Sequence, residues 1–98
     1  MRMLLTVEMD TEKANKAIQE NRLGGLMRTA LEPLRPEASY FGAKNGQRTA
    51  FIVFDLKEPS DIPTIAETFF VELGAKVEFI PVMNLDDVQS GLRKAGHS

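Results

Sequence analysis

The sequence predicts a single α+β domain, a four-stranded antiparallel sheet with its two main helices on one face. Three observations carry that expectation. Apolar residues alternate or run together at 2–9, 38–44, 47–57 and 76–83, and between these stretches they recur every three or four positions. An Asn45-Gly46 pair separates the second and third stretches, the strongest short-range signal of a hairpin. At 98 residues, 43% apolar and 27% charged, the chain has the length and balance of one globular domain covering 1–98.

Each element has a local cause. At 2–9, Met3, Leu5, Val7 and Met9 share one face of a strand, and Leu4, Thr6 and Glu8 the other. Asp10 or Thr11 offers the side-chain oxygen of a helix N-cap. Ala14, Ala17, Ile18 and Asn21 then mark the inner face of a helix over 11–21. Gly24-Gly25 is expected to break that helix, because two glycines in a helix interior cost about 1–2 kcal/mol against alanine. A second piece at 25–32 follows, closed by Pro33 and Pro36. Strands at 38–44 and 47–57 flank the Asn45-Gly46 turn. Pro59, Ser60 and Asp61 open a helix over 61–73, with Ile62, Ile65, Ala66, Phe69, Phe70 and Leu73 at helical spacing and Gly74 placed to stop it. The last strand, 76–83, contains Pro81, which cannot donate to a ladder and so belongs at a sheet edge. Asn84 or Asp86 caps a terminal helix at 85–95, ended by Gly96. Two crossovers flanking a central hairpin form the split βαβ, or ferredoxin-like, arrangement βαββαβ, with spatial order 4-1-3-2 and one added C-terminal helix.

The face that the helices leave bare carries an unusual load. Such a face normally alternates with polar residues to meet water. Here Phe51 and Val53 oppose Ala50, Ile52, Phe54 and Leu56; Ile80 and Val82 oppose Val77 and Phe79; Leu4 opposes Met3, Leu5 and Val7. The helix-free face therefore carries about five large apolar side chains near its centre, whichever way the faces are assigned. Burying one is worth about 1.5–3 kcal/mol, and a two-fold dimer would cover them with one self-complementary contact. The alternative is that the terminal helix folds back over this face, with Val88 and Leu92 as its stripe.

Composition excludes several functions. The net charge is −2, with twelve basic and fourteen acidic residues interspersed, so the basic stripe of a nucleic-acid or membrane-surface binder is missing. With no cysteine there is no disulfide, thiol nucleophile or cysteine metal site. The apolar runs are too short to span a membrane. The stretch from Met1 to Leu5 is interrupted by Glu8 and Asp10 and lacks a signal-peptide cleavage site, so a cytoplasmic protein is expected. No acidic cluster has calcium-loop spacing, and neither metal nor cofactor is expected.

The element order, the apolar bare face and the stretch Lys76–Gly96, with Asn84-Leu85-Asp86-Asp87-Val88-Gln89-Ser90-Gly91-Leu92 inside it, resemble the dimeric α+β barrel superfamily. The segments Arg35–Phe41 and Ile62–Glu67 add a likeness to its small bacterial members of unassigned function. The resemblance implies a homodimer paired through the helix-free sheet face. It leaves open a ligand-binding or interaction module, or a cofactor-independent monooxygenase or isomerase acting on an aromatic or lactone-like substrate. In haem-degrading barrels an axial histidine sits within the fold. The sole histidine here, His97, lies next to the C-terminal residue and is expected to do no chemistry.

Few residues offer chemistry. Glu8 and Glu78 lie on adjacent predicted strands, and if both face the helix-free side one could shuttle a proton; otherwise they are wet, or paired with Arg2, Lys76 or Arg48. Tyr40, the sole tyrosine, could donate to a ligand or sit in the dimer contact, with Thr6 and Thr49 adding hydroxyls. Met27, Phe54, Phe69 and Phe70 could line a pocket for a small apolar molecule between helices and sheet, or simply form core. Gly24-Gly25 with Arg22 or Arg28 could hold an anion.

Overall fold

In a computed structural model describing residues 1–97, the chain folds as β1 (Arg2–Glu8), α1 (Thr11–Gln19), α2 (Leu23–Leu31), β2 (Ala38–Lys44), β3 (Gln47–Asp55), α3 (Asp61–Leu73), β4 (Lys76–Pro81) and α4 (Leu85–Lys94). A short 3-10 turn, Glu32–Leu34, follows α2. The strands make one antiparallel sheet in the order β2-β3-β1-β4, which counted from the β4 edge is 4-1-3-2. Asn45 and Gly46 turn β2 into β3 with φ of 54° and 72°, and Pro81 lies on the edge strand β4.

The helices begin and end for identifiable reasons. Asp10 caps α1 by accepting a hydrogen bond from the Lys13 amide at 3.0 Å. Gly74 ends α3 at φ 53°, in the left-handed region. Ser60 sits in the cap position of α3 but its side chain makes no capping bond. Asn84, not Asp86, caps α4: Asn84 Oδ1 accepts from the Asp87 amide at 2.8 Å, and Asp87 Oδ2 accepts from the Asn84 amide at 3.2 Å.

The break between α1 and α2 falls at residues 20–22, earlier than the glycines. Asn21, expected on the inner face of a longer helix, instead takes φ 56°, a conformation asparagine tolerates better than most residues. The Arg22 amide donates to the Ala17 carbonyl at 2.7 Å across the break. Gly24 and Gly25 sit in the first turn of α2, where backbone amides lack intrahelical partners in any case. Strands β3 and β4 also stop two residues short of their expected ends. Pro81 has no N–H to carry the β4 ladder on; beyond it, only the Val82 amide bonds back, to the Arg2 carbonyl at 3.1 Å.

Strand register sorts the sheet into two faces. Pairs Val7–Ala50, Leu5–Ile52 and Met3–Phe54 point to the helices, joined by Val77 and Phe79 from β4. With Ala14, Ala17, Met27, Phe69 and Leu73 they form the core. Phe54 and Phe79 meet edge to face at 6.4 Å. The opposite face bears three cross-strand rows: Ala38–Val53–Leu4–Ile80, Tyr40–Phe51–Thr6–Glu78 and Gly42–Thr49–Glu8–Lys76. The first row is wholly apolar, and the third is polar.

No residue of α4 is buried, and none of the other elements packs substantially against it. The helix therefore does not fold back over the bare face. The described residues span 54 × 28 × 18 Å with a radius of gyration of 15.7 Å, against about 13 Å for a compact chain of this length.

Candidate functional site

The helices leave the β2 edge uncovered. Residues of β2 are half-buried or exposed along its whole length, and a groove of about 560 Å³ opens between α1–α2 and the β2–β3 ribbon. Met9, Ile18, Leu23, Met27 and Phe41 supply its apolar walls, with Gly24, Gly42 and Thr49 between them. Phe41 pairs with Ala50, so register aims it to the helix side, and with no helix above it the ring stays 59% exposed. Arg48 is the one charged residue in the lining, and it enters no ion pair among the described residues. The volume lies within the usual range for a small-molecule site, as does the pairing of apolar walls with few polar groups.

A second cleft of about 450 Å³ lies at the far end of β3, floored by Leu34, Phe54, Leu56 and Ile65. Its rim carries Arg35, Asp55, Lys57 and Asp61, of which Asp55 and Lys57 pair with each other. Asp55 accepts from Lys57 Nζ and from the Met1 ammonium, each at 2.6 Å, and these donors hold its carboxyl down at about 2. A carboxylate already matched by two cations has little left to offer an incoming charged group.

The residues expected to line one pocket do not converge. Met27 belongs to the groove, whereas Phe54 borders the far cleft. Phe69 is fully buried in the core, and Phe70 is 44% exposed. Gly24 borders the groove, and a Cβ on it or on Gly25 would meet nothing within 4 Å. Arg22 is committed elsewhere, to Glu20 at 2.7 Å and Glu72 at 3.6 Å, and Arg28 is exposed. Met9, Phe41 and Arg48 line the groove but were not among the residues expected to form a pocket. The signal for them was a phenylalanine facing the helix side of a predicted edge strand.

Glu8 and Glu78 do share the helix-free face, as diagonal neighbours on β1 and β4. Their surroundings differ. Glu8 is only 5% exposed and accepts from Asn45 Nδ2 at 3.2 Å, with Lys76 directly across the strand pair. Glu78 is exposed opposite Thr6. Tyr40 is 71% exposed at the β2 edge, three strand spacings or about 14 Å from Glu78 in the same row. The Thr49 hydroxyl donates to the Gln47 carbonyl at 3.0 Å. These groups form no closed constellation within one chain. His97 is exposed after α4. Among the described residues there is no cluster of three metal-ligating side chains, and no helix is long and apolar enough to cross a membrane.

Comparison with protein-family models gives no match, and comparison with curated proteins gives none either.

Proposed function

We propose that the protein is a ligand-binding module that takes a small apolar molecule with an anionic end in the groove beneath Phe41, and that it works as a homodimer of ferredoxin-like protomers paired through their bare sheet faces. The carrying observation for the ligand is the groove itself: about 560 Å³ of apolar wall with a single uncommitted cation, Arg48, in its lining. Apolar walls supply affinity by removing hydrocarbon from water. One guanidinium supplies orientation, since it matches a carboxylate through two parallel hydrogen bonds.

A thermal-shift series tests the reading. Aromatic and medium-chain carboxylic acids are compared with their neutral esters. A ligand at ten times its Kd adds about 1.4 kcal/mol, which raises the melting temperature of a chain this size by about 6–10 °C. The acids are expected to shift it and the esters to shift it less. Arg48→Ala should erase the difference, and Ile18→Asp should remove binding of both. No shift with any acid at millimolar concentration overturns the ligand reading.

One observation favours a second reading, a cofactor-independent oxygenase or isomerase acting on an aromatic or lactone-like compound. Glu8 is a buried carboxylate with one side-chain hydrogen bond and no ion pair among the described residues. On a face dried by a partner it would serve as a general base. Turnover that survives Glu8→Gln in the folded protein would rule that role out.

A further inference from the structure

We infer that the cleft at the far end of β3 is a second binding site, for an apolar α-amino acid held at its carboxylate by Arg35 and at its ammonium by Asp61. The cleft shares no lining residue with the groove beneath Phe41, so the inference goes beyond the function proposed for that groove.

Arg35 is held against its own backbone preference. It closes the 3-10 turn Glu32–Leu34 at φ 46° and ψ 60°, in the left-handed region. Glycine takes that conformation freely, whereas an L side chain is strained in it. Pro36 follows, and the residue before a proline is driven towards extended ψ. Both rules disfavour arginine here. Strain of this kind persists where the surrounding structure enforces it, and it gathers at ligand sites. Nothing in its own chain explains the side chain: it is exposed, and it enters no ion pair or side-chain hydrogen bond among the described residues. It does line the cleft.

The charges of the rim select the ligand. Asp55 is matched by Lys57 and by the Met1 ammonium, each at 2.6 Å. Asp61, on the same rim, enters no ion pair among the described residues. The cleft therefore presents one uncommitted cation and one uncommitted anion, and these do not close on each other. A plain carboxylate would satisfy Arg35 while facing Asp61, and a plain amine would do the reverse. A zwitterion answers both, and an α-amino acid carries its two charges on a single carbon.

The floor takes the side chain. Phe54 is buried, and Leu34, Leu56 and Ile65 are half-buried against the same core, so the apolar surface is in place before a ligand arrives. Covering it supplies affinity, and the two charged contacts supply orientation. The volume of about 450 Å³ suits a small molecule. Phe54 points to the helices, so the cleft lies on the helix side of the sheet, and pairing of two copies through their bare faces would leave it open.

Calorimetric titration of the full-length protein tests the site. The probes are L-leucine, N-acetyl-L-leucine without the ammonium, L-leucinamide without the carboxylate, and glycine without the apolar side chain. L-leucine is expected to bind, and each of the others about tenfold more weakly or worse, the loss of one charge-assisted hydrogen bond or one buried aliphatic group. Arg35→Gly removes the backbone strain together with the guanidinium. It is expected to melt no lower than the wild type and to bind L-leucine at least about tenfold more weakly. Arg35→Asn, which also tolerates a positive φ, is expected to behave alike. Asp61→Asn should erase the preference for L-leucine over its N-acetyl form. No binding of L-leucine at millimolar concentration overturns the inference, as does equal binding of the N-acetyl or amide form, or full binding by either folded Arg35 variant. Melting of both Arg35 variants well below the wild type also overturns it, since Arg35 would then serve the fold. Arg48→Ala is expected to leave L-leucine binding unchanged. Loss of binding in that variant would place the amino acid beneath Phe41, overturning this site and leaving the groove standing.

Discussion

At Gly74 a single hydrogen atom in place of a side chain decides how α3 ends. Its φ is 53°, and a Cβ there would meet Lys13 Cδ at 3.1 Å and Asp10 Cβ at 3.4 Å. Gly74→Ala is therefore expected to cost about 1–2 kcal/mol, read as a lower urea midpoint at unchanged m. Asp55 is the second residue with a measurable signature. Hydrogen bonds from Lys57 and the Met1 ammonium lower its carboxyl to about 2, against about 3.9 in an unfolded chain. Its folded value is depressed, so its contribution to stability is present above about pH 4 and fades as pH falls towards 2. A carboxylate titration by NMR should find the midpoint near 2, and Lys57→Ala should move it up towards the ordinary range. The Gly74 stop was legible in sequence, because an apolar helical stripe ends one residue before it. The Met1 contact of Asp55 was not, since it joins residues 54 positions apart that only the β1–β3 ladder brings together.

Among elements, those with strong local chemistry were legible and those decided by tertiary contact were not. Asn45-Gly46, the Asp10 cap and the 61–73 stripe each carry their cause within a few residues, and each element appears where its cause lies. The α1–α2 break was misplaced because glycine is the stronger breaker by propensity, whereas a left-handed Asn21 ends α1 and the glycines fall in a helix first turn, where their cost is small. The groove was hidden for a related reason: residues 25–32 read correctly as a helix, but nothing local says that it stops short of β2. The capping box of α4 gives a prediction at this scale. Asn84→Ala removes the bond that Asn84 Oδ1 accepts from the Asp87 amide, worth about 1 kcal/mol. In a helix with no buried residue of its own, that loss is expected to appear as faster amide exchange in α4, with β1 and β3 unchanged. Equal acceleration in the central strands would mean that α4 is packed into the cooperative core of its own chain.

For the molecule as a whole, the question is what a two-layer body 18 Å thick does with an apolar outer face. Leu4, Phe51 and Val53 are half-buried and Ile80 is 40% exposed on that face, and no element of the same chain lies over them. Self-association has a thermodynamic signature that needs no knowledge of the ligand. When dissociation accompanies unfolding, each tenfold dilution removes about 1.4 kcal/mol per dimer and lowers the melting temperature by about 3–5 °C. Phe51→Glu separates this effect from ordinary destabilisation. Phe51 stands between Tyr40 and Thr6 on the bare face, away from the core, so in a lone protomer a glutamate there is solvated and costs little. Across a dry interface it is an unpaired buried charge costing several kcal/mol. The variant is therefore expected to sediment as a monomer with a melting temperature independent of concentration, and to retain the wild-type far-UV spectrum. A wild type whose melting temperature does not move between micromolar and millimolar concentration, or a variant that dimerises as well as the wild type, would show that this face is not where two chains meet.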